Sequence, residues 1–135
     1  MPIYEPLDIG IALMASRSDL SNFRWETNAI VADFFIPDSP AQMLRVTFDG
    51  QCIVRLLDEM PLSTEDDPVT RHGMIPENFA YRVKGDPFAR QQSPTWLEIM
   101  APVMHYRFVT GWACMDVLSG TAPRFGVVER QQDAA

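Results

Sequence analysis

"QMLRVTFDGQCIVRLL" (residues 42–57) decides how the chain is read. Two apolar, β-branched stretches flank Asp49-Gly50, and Asp-Gly supplies the positive φ angles of a two-residue type I′ turn. The expectation is a β-hairpin in which Phe48 faces Gln51, Val46 faces Ile53 and Leu44 faces Arg55. Met43, Arg45 and Thr47 share the other side with Cys52, Val54 and Leu56, so neither face is cleanly polar. A hairpin of this kind is covered on both sides or packs in a dimer.

Outward from the hairpin the pattern stays β. "HYRFVTGWACMDVLSG" (105–120) is rich in Val, Phe, Tyr and Trp with no 3.6-residue stripe. Gly111 either bulges one long strand or turns it into a hairpin. "FAYRVKGDPF" (79–88) is a strand ending in a Gly-Asp-Pro turn, and "FRWETNAIVADFFIPDSP" (23–40) reads as one strand closed by Pro37 and Pro40. "IGIALMA" (9–15) predicts a short strand. In "QQSPTWLEIMAP" (91–102), Ser93 is an N-cap, Pro94 suits the first helical position and Pro102 ends the helix after about two turns. The fold class is mainly β, an antiparallel sandwich or half-barrel carrying one or two short helices, with α+β as the runner-up. Residues 1–135 form a single domain, with mobile tails at about 1–8 and 129–135.

The formal net charge is −7, which argues against nucleic-acid backbones as partners and favours a basic protein surface. Lys84 is the only lysine, and the arginines are scattered singly. No apolar run approaches the ~18 residues of a membrane helix. The opening "MPIYEPLDIG" carries acidic residues and two prolines where a leader would be basic and then apolar, so a cytoplasmic location is expected. Cys52 and Cys114 are accordingly read as free thiols filling apolar positions.

"DEMPLSTEDDPVTRHGMIPEN" (58–78) has no periodic pattern, and loops of this length are usually functional or disordered. It holds six acidic residues (Asp58, Glu59, Glu65, Asp66, Asp67, Glu77) against Arg71 and His72. Arg71-His72-Gly73 is the tripeptide that opens the active site of histidine phosphatases. Here it lies mid-chain after a hairpin, among carboxylates that would repel a phosphate, and no βαβ alternation accompanies it. A coincidence is the better reading. Asp66, Asp67, His72 and Glu77 remain candidates for a binding surface. The spacing of an EF-hand or a zinc site is absent, so no metal is expected there.

His105 and Asp116 are polar residues in apolar runs. If their strands pair around Gly111, they come close as a general base and its orienting carboxylate, while Arg107 could instead neutralise Asp116 in a structural pair. His105, Asp116 and Arg107 are therefore the candidate catalytic residues. No nucleotide, metal or cofactor motif is present, and no cofactor is expected. The leading expectation is a non-enzymatic domain that binds another protein, such as an immunity or antitoxin-type inhibitor or a homodimeric adaptor. The alternative is a small enzyme or ligand-binding barrel using His105 and Asp116 around an apolar pocket.

Overall fold

The computed structural model describes residues 2–58 and 72–130. Among the described residues, nine strands form two antiparallel sheets packed face to face. In chain order they are β1 (Ile3–Pro6), β2 (Leu20–Glu26), β3 (Ala29–Phe35), β4 (Gln42–Asp49), β5 (Cys52–Asp58), β6 (Ala80–Lys84), β7 (Met104–Val109), β8 (Ala113–Ser119) and β9 (Arg124–Glu129). One sheet has the order β1-β6-β7-β8-β5 and the other β2-β3-β4-β9. Two short helices, α1 (Pro87–Arg90) and α2 (Pro94–Ile99), link β6 to β7. The sheets do not close into a barrel, so the sandwich is the form adopted. No helix among the described residues is long and apolar enough to cross a membrane.

Period-two alternation builds the core. Ile30, Ala32 and Phe34 of β3 lie opposite Phe48, Val46 and Leu44 of β4, and all six point between the sheets. Tyr106 and Phe108 of β7 with Met115 and Val117 of β8 answer from the other layer. Phe34, Phe79 and Phe108 meet as packed rings, the first two with centroids 4.8 Å apart and the last two 5.6 Å apart. Such contacts add about 0.5–1.5 kcal/mol per pair to the burial of the rings.

The hairpin expected at 42–57 does not form. β4 pairs with β3 and β9, whereas β5 pairs with β8 in the opposite sheet. Of the two turn residues only Gly50 has a positive φ, at 81°, so the type I′ geometry that would lay the strands side by side is absent. The turn instead carries the chain from one layer to the other. Both stretches are apolar because they face each other across the core, with Leu44, Val46 and Phe48 on one side and Cys52 and Val54 on the other.

The true hairpins lie elsewhere. β2 and β3, read from sequence as one strand, are separated at Thr27-Asn28, with Glu26 opposite Ala29. Gly111 belongs to a turn rather than a bulge, and β7 and β8 form a hairpin around it. Thr110 fastens that turn by accepting the N–H groups of Trp112 and Ala113 at 3.2 and 2.9 Å.

"IGIALMA" forms no strand. Leu7, Ile9, Ile11, Leu13 and Ala15 still turn inward at alternate positions and pack against the core, with a bend at Gly10 (φ +82°) and a short 3-10 turn at Ala15–Arg17. Its alternation reflects burial without a partner strand. The stretch read as an N-terminal tail contributes β1, paired with β6 from Ile3↔Lys84 to Pro6↔Tyr81. At the other end β9, which the sequence reading did not anticipate, runs to Glu129, and the Arg130 N–H donates to the Ala41 carbonyl at 2.7 Å. Residues 131–135 lie outside the described residues. The helix capped by Ser93 forms as expected, with the Ser93 hydroxyl accepting from the Trp96 N–H. Asp86 does the same for α1, accepting from the Phe88 N–H at 3.0 Å. At four and six residues these helices leave the protein mainly β rather than α+β.

Candidate functional site

Polar residues gather on the outer face of the five-stranded sheet, under α1. The register of β7 against β8 sets Arg107 opposite Asp116, and that of β5 against β8 sets Arg55 on its other side. His105, two residues before Arg107 on β7, shares their face. The sheet thus delivers three donors to one carboxylate. Asp116 Oδ1 accepts from His105 Nε2 at 2.6 Å and Arg107 Nε at 2.7 Å. Its Oδ2 accepts from Arg55 Nε at 3.0 Å and Nη2 at 2.7 Å.

A second ring supports the first. Arg107 Nη2 lies 3.1 Å from Asp86 Oδ2, and Arg107 Nη1 donates to the Tyr4 hydroxyl. The Phe88 ring stacks near His105, with centroids 5.5 Å apart, and the Arg55 guanidinium lies 4.5 Å from its centre. Asp116, Arg107, Asp86 and His105 are all buried.

Burial alone would raise the Asp116 carboxyl pKa. The His105 hydrogen bond and the Arg107 charge outweigh it and hold the group at about 2. Burial would likewise lower the pKa of Arg107, but the charge of Asp116 and the neighbouring Tyr4 and Asp86 raise it, so the guanidinium stays charged. An ionised carboxylate only accepts, so His105 Nε2 is the donor to it. The other ring nitrogen, Nδ1, is buried and has no hydrogen-bond partner among the described residues.

A depressed folded-state pKa contributes stability that is present above the unfolded value of 3.8 and lost as pH falls through about 2. Urea unfolding followed by circular dichroism is expected to show about 2 kcal/mol of stability disappearing between pH 4 and pH 2. A stability that stays flat across that window would contradict the ionised, triply paired state of Asp116.

The structure therefore brings His105, Asp116 and Arg107 together. The arrangement resembles a base with its orienting carboxylate, but both carboxylate oxygens are occupied by nitrogen donors and the imidazole is covered. In this form the cluster ties β5, β7, β8 and α1 together rather than meeting solvent. Arg55, Asp86 and Tyr4 complete it and were not singled out from sequence. The only local signal is that Arg55 interrupts an apolar run as Asp116 does.

The loop candidates are placed differently. Asp66 and Asp67 lie outside the described residues. His72 is exposed and works through its backbone, its C=O accepting the Tyr4 N–H at 2.6 Å in a short bridge beside β1. Glu77, also exposed, accepts from the Ser16 hydroxyl at 2.7 Å. The described residues hold no cluster of His, Cys, Asp and Glu suited to a metal ion. Cys52 and Cys114 form no disulfide, and burial pushes the Cys52 thiol pKa up, away from nucleophilic use.

Two concavities border these residues. One, of about 490 Å³, lies at the end of the sandwich carrying the β7–β8 turn and is lined by Ser16, Ile75, Pro76, Glu77 and Gly111 among others. Ile75, which lines it, is 52% exposed, and Met14 and Trp112, next in the chain to its lining residues Ala15 and Gly111, are 49% and 60% exposed. The other, of about 420 Å³, lies beside His105 between the sheet and the helical segment. No protein-family model, curated protein or solved structure matches this chain.

Proposed function

We propose that this domain works in the cytoplasm by binding another protein, with the sandwich end bearing Met14, Ile75 and Trp112 as the contact surface. The carrying observation is three exposed apolar side chains at this end: Ile75 lines the depression with Glu77, and Met14 and Trp112 directly adjoin its lining residues Ala15 and Gly111 in the chain. Tryptophan and methionine are enriched at protein interfaces relative to the rest of the surface. The net charge of −7 favours a basic partner, as for an inhibitor that covers a cationic active site. The burial of the Asp116 cluster, with both carboxylate oxygens occupied, weighs against catalysis there.

A homodimeric adaptor is the second reading, favoured by β9. This strand pairs only with β4 among the described residues, and Phe125-Gly126-Val127-Val128 carries no charge to discourage another strand. By contrast, the far side of β1 meets His72 and β2 is interrupted by a bulge near Leu20.

An affinity pull-down from source cells, read by quantitative mass spectrometry, tests both readings. Wild type and a Trp25→Ala control, altered at another exposed tryptophan, are expected to enrich the same partner. An Ile75→Ser/Trp112→Ala variant is expected to lose it by about tenfold or more. Recovery of an untagged copy of the chain itself would favour the homodimer. Equal recovery by all three baits would sink the assignment to this end of the molecule.

A further inference from the structure

We infer that the groove beside His105 is a binding site for a small apolar monocarboxylate. Its floor is a single row across three neighbouring strands, since Val83 of β6 lies opposite His105 of β7 and His105 opposite Leu118 of β8. Leu97 of α2 and Ala89 of α1 line the other side. A space of about 420 Å³ is within the usual range for small-molecule sites, and its lining is mostly apolar.

Charge selects the head group. The chain carries 18 acidic and 11 basic residues, yet the groove is lined by Lys84 and Arg90 and by no carboxylate. Lys84 lies 3.0 Å from Glu5, whereas Arg90 is exposed and forms no ion pair with a described residue. A guanidinium at the mouth of an apolar groove matches a carboxylate with two parallel hydrogen bonds, leaving the ligand's body over Val83, Leu97 and Leu118.

The floor limits the ligand to one acid group. His105 Nε2 is committed to Asp116 at 2.6 Å and the residue is only 4% exposed, so the surface around it is that of Val83, Leu97, Val103 and Leu118. A second carboxylate brought to this floor would lose its hydration against apolar side chains. A hydrocarbon segment would not. The groove lies on a different surface from the Trp112 end, so each assignment can fail without the other.

Titration of the full chain with octanoate, octanol and the dicarboxylate suberate tests the site, read by calorimetry and by nuclear magnetic resonance. Octanoate is expected to bind saturably and to shift the resonances of Val83, His105 and Leu118 and the His105 Nδ1 nitrogen. Octanol and suberate are expected to bind about tenfold more weakly or worse, and Arg90→Gln to weaken octanoate by a similar factor while leaving octanol unchanged. The inference is overturned if octanoate does not saturate. It is equally overturned if octanol or suberate matches octanoate, if Arg90→Gln binds as wild type, or if the shifts fall around Trp112.

Discussion

Asp116→Asn is expected to destabilise the fold by about 3–5 kcal/mol, the largest loss from any near-isosteric change in this protein. Asn fills the same space, so the cost comes from charge and polarity rather than a cavity. The amide offers one acceptor oxygen where the carboxylate serves Arg55, Arg107 and His105, and its NH₂ group would face a guanidinium. Arg107 would be left buried with Asp86 as its remaining carboxylate partner among the described residues. Truncating one member of a buried charge network leaves the others desolvated and underpaired, which is why the loss exceeds the net worth of the pair. Urea midpoints measure it, with Asp38→Asn as the comparison. The Arg17–Asp38 pair is bidentate, at 3.0 and 2.8 Å, but both side chains are more than half exposed, and its removal should cost little. A loss below about 1 kcal/mol at Asp116 would show that the cluster does not hold β5, β8 and α1 together.

Gly73→Ala is the second large effect, expected to cost about 2–4 kcal/mol, while His72→Ala leaves stability unchanged. Gly73 has φ +84°, and a Cβ added there would overlap the carbonyl of Tyr4. Neither atom can yield cheaply, because each belongs to backbone. To make room, β1 must move off the seam at which Tyr4 N–H bonds to His72. The Tyr4 hydroxyl that receives Arg107 would shift with it. Thermal melts of the two variants decide the matter. A Gly73→Ala protein as stable as wild type, or a His72→Ala protein equally weakened, would show that the seam is not what His72-Gly73 provides.

Strand identity was more legible than strand partnership. Alternation of Val, Ile and Phe marks β4, β5, β7 and β8 because a half-buried strand needs a period of two whichever neighbour it has. It carries no label for the neighbour. Arg55 therefore looked like the cross-strand partner of Leu44, whereas its partner is Asp116, 61 residues on in the chain. The His105–Arg107–Asp116 grouping could be anticipated because a turn at Gly111 makes it local. Arg55, Asp86 and Tyr4 could not, since each arrives from a distant segment. The segment from Leu7 to Ala15 shows the same limit from the other side, since its alternation is real yet only Leu7, bonded to the Ala80 carbonyl, touches a neighbouring strand's backbone among the described residues.

The Asp49-Gly50 crossing has a further consequence, for folding. The chain starts in the five-stranded sheet at β1, lays down three strands of the other, returns for β5 to β8, and leaves again for β9. Neither layer can be finished from a contiguous half. Residues 3 and 84, 52 and 119, and 42 and 129 must meet to close β1–β6, β5–β8 and β4–β9. Loop-closure entropy for these three ladders is spent before their burial returns it, which puts the protein among the slow, high-contact-order folders of the millisecond-to-second class. A fragment ending before Arg124 would leave Leu44 and Val46 without their outer neighbour, so cooperative unfolding of both layers as one unit follows from the path of the chain.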